Sequence, residues 1–121
     1  MHTTEDKLDT PMLGKTEELV MMAAHKAGPK STASEIYQTL ENVIGKTTAF
    51  GAIFTTLDRL SKKGFLKFEL GAVRKDYGNK APREYSITGE GMLALRESIA
   101  VTERMRCEAM TAPNIHGGSL A

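Results

Sequence analysis

The chain has one cysteine, Cys107, no tryptophan, and aromatic residues at only 6% of its 121 positions. A lone cysteine excludes an internal disulfide framework and any multi-cysteine zinc site. No apolar run approaches the ~20 residues that a membrane span needs. The opening stretch MHTTEDKLDT is acidic and polar, unlike a secretory signal, so no membrane partner and a cytoplasmic location are expected. A dominant charge sign is missing too. The formal net charge of +1 argues against a uniformly basic, histone-like coat for nucleic acid. What remains is 40% hydrophobic and 26% charged, the balance of a single folded domain with one modest core.

Catalytic and cofactor motifs are also scarce. Ile44-Gly45-Lys46-Thr47-Thr48 looks like the end of a phosphate-binding loop, but the required first glycine falls on Leu40, within a helical rather than a strand pattern. His2, His25 and His116 are scattered without metal-ligand spacing. Cys107 lies late in a helix with no histidine nearby in sequence, which reads as a packing or partly exposed thiol rather than a nucleophile. No nucleophile elbow or dinucleotide fingerprint is present. The expectation is therefore no catalytic residue, no metal and no cofactor.

Against these absences stands a marked asymmetry of charge. Residues 1–45 carry four Lys/Arg against seven Asp/Glu, and residues 86–121 carry three against four. Between them, residues 46–85 carry nine basic residues against four acids, a local charge of +5. A basic middle with acidic flanks suits a localised footprint on a polyanion. It is equally what an ordinary solvated surface shows, so the placement of those charges decides.

Apolar spacing supplies that placement. Residues 1–12 lack periodicity and read as a mobile arm. Leu13, Leu19, Val20, Met22 and Ala23 return at helical spacing until Gly28-Pro29. Ser31 is a plausible N-cap for a short helix through Asn42, closed by Gly45. A third helix runs from about Thr48 to Lys63 and stops at Gly64. At 100° per residue, Phe50, Ile53, Leu57 and Leu60 form its apolar stripe; Ala52, Thr55, Arg59, Lys62 and Lys63 lie opposite. Phe65–Leu70 and Glu84–Thr88 alternate as strands. The intervening Gly71–Arg83, with Arg74, Lys75, Lys80 and Arg83, reads as a long basic hairpin loop.

A fourth helix covers about Glu90 to Met110, with Thr88 or Gly89 at its cap. It has one stripe at Met92, Leu95 and Ile99 and a second at Ala94, Ser98, Val101 and Met105. Two apolar stripes call for two partners: the helix's own domain and, through Ala94, Ser98, Val101 and Met105, a second copy of the chain. Residues 111–121 read as a disordered tail.

Helix, helix, basic-faced helix, strand, basic loop, strand, long helix is the order of a winged helix-turn-helix. The fold class expected is mainly α with a two-stranded β wing, comprising residues 13–88, and a C-terminal dimerisation helix over 89–110. In such a domain the third helix enters the major groove by its N-terminal half. Thr47, Thr48, Gly51, Ala52, Thr55 and Thr56 give it a slim, hydroxylated leading edge for base edges and thymine methyls. Arg59, Lys62 and Lys63 follow at phosphate-contacting positions. Arg74, Lys75, Lys80 and Arg83 on the wing would touch phosphate or probe the minor groove.

These residues also carry a family resemblance. Leu13-Gly14-Lys15, Glu35-Ile36, the run Gly51 to Leu60, Gly64-Phe65-Leu66 and the run Gly78 to Gly91 together resemble the PadR-like transcriptional regulators over roughly residues 13–105. Lys80-Ala81-Pro82-Arg83-Glu84-Tyr85 looks like that family's wing motif, with Asn79-Lys80-Ala81 in place of the usual glycine–arginine portion. The resemblance implies a homodimeric bacterial transcription factor, usually a repressor, on a pseudo-palindromic double-stranded DNA operator. The single C-terminal helix resembles the family's small subgroup. Some of its members bind planar aromatic ligands through tryptophan; this chain has none, so that site is not carried over, and any small-molecule effector stays unidentified. The competing reading is a winged-helix module for protein–protein interaction. Such a module would tend to expose aromatics or acids on the third helix, where this sequence places Thr, Arg and Lys.

Overall fold

Glycines and hydroxyls punctuate the chain at almost every change of element in the computed structural model, which describes residues 13–45 and 50–111. Helix α1, Lys15–Ala27, starts where the Glu17 carboxylate accepts the Gly14 N–H at 2.9 Å. Glu17 and Glu18 lie in its first turn and His25 and Lys26 in its last, each sign at the end the helix dipole favours. Gly28, with φ of 100°, ends it.

The next element departs from the expected cap at Ser31. The Ser31 hydroxyl instead donates to the Gly28 carbonyl, and Ser31–Thr32 form a short strand, β1. Thr32 caps helix α2, Ala33–Ile44. Its hydroxyl accepts the Glu35 N–H while the Glu35 carboxylate accepts the Thr32 N–H, a reciprocal box that satisfies two donors at the helix start. Helix α3, Phe50–Lys62, buries Ile53, Leu57 and Leu60 completely. Phe50, the fourth residue of its expected stripe, is instead partly exposed and meets the Tyr37 ring edge-on at 5.3 Å. The end of α3 is a Schellman turn: Phe65 N–H reaches the Leu60 carbonyl and Gly64 N–H reaches Ser61. Gly64 supplies the positive φ, 84°, that this turn requires.

Strands β2, Leu66–Leu70, and β3, Arg83–Ile87, pair antiparallel in a register running from Leu66↔Ile87 to Leu70↔Arg83. Strand β1 adds to the far side of β3 through Ser31↔Tyr85 and Thr32↔Glu84. The sheet therefore has three strands in the order β1-β3-β2, rather than the two expected. A two-residue strand has no alternation to read. Tyr85, in the central strand, is almost wholly buried against Met21, Ile36 and the α3 stripe in a single core.

Helix α4, Gly89–Thr111, takes in Thr111, which the sequence placed in the tail. The Thr88 hydroxyl donates to the Gly64 carbonyl at 2.7 Å and accepts the Gly91 N–H at 2.9 Å, so one side chain both ends α3 and starts α4. Gly91 packs so closely that an added Cβ would lie 2.1 Å from the Phe65 carbonyl oxygen. The expected arm at residues 1–12 lies outside the described residues, as does the rest of the expected tail.

Two outcomes follow from this packing. Gly91→Ala must displace backbone rather than a flexible side chain, and it is expected to lower stability by about 1–3 kcal/mol, read as a drop in Tm. At the base of the domain, Lys63 reaches Glu17 at 2.8 Å and ties the end of α3 to the start of α1. Burial works to raise the Glu17 carboxyl. The bonds from Lys63 and from the Gly14 N–H, with the charges of Lys63 and Arg59, outweigh it and hold the group below its ordinary value of 4.5. A carboxyl depressed in the folded state stabilises fully above that ordinary value and ceases to do so as pH falls through the lower, folded one. Glu17→Gln is therefore expected to lower Tm at neutral pH and to flatten its fall as pH drops below 4.5.

Candidate nucleic-acid interface

The outward side of α3 is built by elimination: Ile53, Leu57 and Leu60 turn into the core, which leaves Gly51, Ala52, Phe54, Thr55, Arg59 and Lys62 exposed. Gly51, Thr55, Asp58 and Lys62 fall on one line at helical spacing. The leading edge is slim where Gly51 and Ala52 stand, and the Thr55 hydroxyl rests on the Gly51 carbonyl at 3.1 Å. Thr56 does not share that edge. It is 5% exposed, and its hydroxyl donates to the Ala52 carbonyl inside the helix. Thr47 and Thr48 lie outside the described residues.

The basic residues of α3 divide by what already holds them. Lys63 is committed to Glu17 beside α1 and is removed from the outer face. Lys62 is exposed and lies 3.4 Å from Asp58 one turn earlier. Arg59 is exposed and, among the described residues, its guanidinium makes no hydrogen bond or ion pair; its charge contributes to holding Glu17 ionised.

The wing is more ordered than the long loop expected of it. Beyond the Leu70↔Arg83 pair, Gly71 N–H reaches the Pro82 carbonyl and Arg74 N–H reaches Lys80, so the two arms continue to run side by side. A single 3-10 turn, Lys75–Tyr77, forms the tip, and Gly78 and Asn79 turn the chain with φ of 65° and 61°. Arg74 is locked in place: its guanidinium makes two hydrogen bonds to Asp76, at 2.8 and 3.1 Å, and lies over the Tyr77 ring. That contact holds the Asp76 carboxyl below its ordinary value. Arg83 points back to α3, with Nη1 3.8 Å from Asp58. Lys75 and Lys80 are exposed and have no ion pair among the described residues. Of the four wing cations, two are engaged internally and two are offered to solvent.

Phe54 and Asp58 belong to this face, and sequence reasoning missed both. Asp58 follows Thr55 and precedes Lys62 at helical spacing, a signal that was available. Phe54 follows the buried Ile53 directly in sequence, yet it is 45% exposed.

The proposed dimer surface on α4 also changes. Both of its rows face the chain's own domain as far as Ser98: Leu95 is buried, Ala94 packs on the core, and Ser98 donates to the Glu18 carboxylate at 3.0 Å. Ala94 and Ser98 are half-buried and already make contacts within their own domain. Helix α1 starts at Lys15, one turn before Glu18, so α4 runs past it beyond Val101. There Val101 and Met105, with Thr102, Arg106, Ala109 and Met110, line an open and almost wholly apolar groove. Met105 is 65% exposed.

Among the described residues, no three His, Cys, Asp or Glu side chains group as a metal site, and no helix is long and apolar enough to cross a membrane.

Solved structures share this architecture. A PadR-like transcription factor from Bacteroides fragilis is 23% identical over 87% of this chain and 93% of its own, with a TM-score of 0.66. A PadR family regulator from Clostridium difficile is 15% identical over 89% of this chain and 100% of its own, at 0.62. The Aeropyrum pernix ORC1 protein, solved in complex with DNA, matches 73% of this chain at 18% identity and a TM-score of 0.58; the chain spans only 24% of that protein. The winged-helix form read from the PadR-like motifs is the form these structures have. None of the curated proteins matches the chain. A family model described as penicillinase repressor matches residues 13–95, more than half of the sequence. Fold and family are both those of transcription regulators, and the chain belongs to the penicillinase repressor family.

Proposed function

We propose that the chain acts as a homodimeric, sequence-specific DNA-binding repressor, with α3 in the major groove and the wing on the adjacent backbone or minor groove. The observation that carries this reading is the exposed, slim Gly51–Ala52–Thr55 edge of α3 with Arg59, joined through the Arg83–Asp58 pair to a wing that offers Lys75 and Lys80. Small and hydroxylated side chains admit a helix to the groove, and cations at its margins meet phosphate. A helix-turn-helix dimer sets its reading helices about 34 Å apart, one turn of duplex, which makes the operator a pseudo-palindrome. The apolar half of α4, around Val101 and Met105, supplies the surface that a second copy would cover. A second reading, a protein–protein module, has Phe54 and Asp58 on α3 in its favour.

Selection from randomised duplexes followed by mobility shift tests the two readings. Enrichment of a palindromic site supports DNA recognition; no enrichment favours the protein module. On the selected site, Arg59→Ala, Lys75→Ala and Lys80→Ala are each expected to weaken binding and lower the log–log salt slope by about 1. Arg74→Ala should leave the slope nearly unchanged, because Asp76 already neutralises that charge. Thr55→Ala is expected to shift the recovered sequence with the slope intact. A flat salt dependence for the unaltered protein would overturn the phosphate-contact model. Repression is read separately, as lower output from a reporter carrying the selected site.

Met105→Asp would place a carboxylate in the apolar groove of α4. It is expected to weaken self-association at least about tenfold in sedimentation equilibrium. An unaltered protein that sediments as a monomer would exclude the dimer.

A further inference from the structure

Building on the DNA-binding reading, we propose that Arg83 is a positioning residue: it clamps the wing to α3 and so fixes the angle at which both meet the duplex, rather than serving as a phosphate ligand. Arg83 stands at the last pair of the β2–β3 ladder, opposite Leu70, where the wing leaves the sheet. Its guanidinium lies 4.4 Å from the centre of the Phe68 ring on β2 and 5.8 Å from that of Phe54 on α3. Its Nη1 atom is 3.8 Å from Asp58, also on α3. One planar cation thus touches both elements that would contact DNA.

The partners of Arg83 make sense together. Asp58 is a carboxylate in the middle of a surface meant for a polyanion, and a bare carboxylate there would repel phosphate. It lies 3.4 Å from Lys62 and 3.8 Å from Arg83, whose charges offset its own, and it forms the α3 end of the clamp. Phe54 and Phe68 are large rings left 45% and 40% exposed, and the flat guanidinium covers part of each. Only arginine offers a charge and a stacking face at once; lysine offers the charge alone. The aromatic and the acid on α3, which taken separately suggest a protein-docking helix, are accounted for as the seat of this side chain.

The two roles for Arg83 predict opposite signs. If Arg83 were a phosphate ligand, Asp58→Asn would remove a competing negative charge and tighten binding, and Arg83→Lys would keep near-normal affinity. If Arg83 positions the wing, Asp58→Asn, Arg83→Lys and Phe68→Leu should each weaken binding to the selected operator about threefold, with the salt slope unchanged. The double variant D58N/R83K should lose little more than either alone, because both substitutions open the same clamp. Tighter binding by D58N, or full affinity in R83K, overturns the proposal.

A second measurement needs no DNA. In NMR spectra of the free protein, the Arg83 Nε–H should be shifted by the Phe68 ring and should return toward its coil position in Phe68→Leu. A coil value in the unaltered protein overturns the clamp. Unchanged circular dichroism spectra for the single variants establish that the effects are not unfolding. Failure of the unaltered protein to select any DNA sinks the DNA reading, while the NMR result still decides whether the clamp exists.

Discussion

The arrangement depends on the junction at Thr88. Its hydroxyl joins the Gly64 carbonyl at the end of α3 to the first turn of α4 at Gly91, and its own N–H reaches the Phe65 carbonyl where β2 begins. Gly91 lets α4 sit directly on that same carbonyl, at a distance no larger residue could tolerate. The direction of α3, the root of the wing and the departure of α4 are therefore set at one point. An outward face on α3 fixes where the wing stands, and the same geometry fixes where α4 leaves the domain.

Charge is distributed by a comparable economy. The middle of the sequence is strongly basic, yet Lys63 holds α1, Arg74 holds the wing tip, and Lys62 and Arg83 share Asp58. Much of the positive charge is consequently held in contacts within the domain. Attraction falls to the cations left over among the described residues of this stretch: Arg59 on α3, Lys75 and Lys80 on the wing, and Lys67 on β2. In the proposed complex with DNA, a surface with few free cations would gain little from nonspecific attraction, leaving shape and base contacts to carry more of the discrimination.

Local punctuation was legible in the sequence. Gly28, Gly45 and Gly64 end helices where expected, and Ile53, Leu57 and Leu60 are the buried row of α3. Pairings across long separations were not. Strand β1 exists only because Ser31 and Thr32 meet Tyr85 and Glu84, and two residues carry no periodicity of their own. Lys63 looks like any exposed lysine at a helix end until Glu17, 46 residues earlier, is brought beside it. Thr56 looks like Thr55, and only the rotation of α3 against the core separates a buried hydroxyl from an exposed one.

The same logic governs α4. Its rows of apolar and small residues continue along the helix, so their spacing cannot say which portion faces home and which faces outward. That is decided by a different element: α1 starts at Lys15 and covers α4 only as far as about Val101. Ser98, small and hydroxylated, fits the covered part because Glu18 waits there for a donor. Met105 and Met110 fit the uncovered part, where a flexible side chain adapts to whatever surface meets it. The extent of α4's packing on its own domain is thus a matter of where a neighbouring helix stops. Lengthening α1 by a turn would bury part of the apolar groove at Val101 and Met105 without changing a residue of α4.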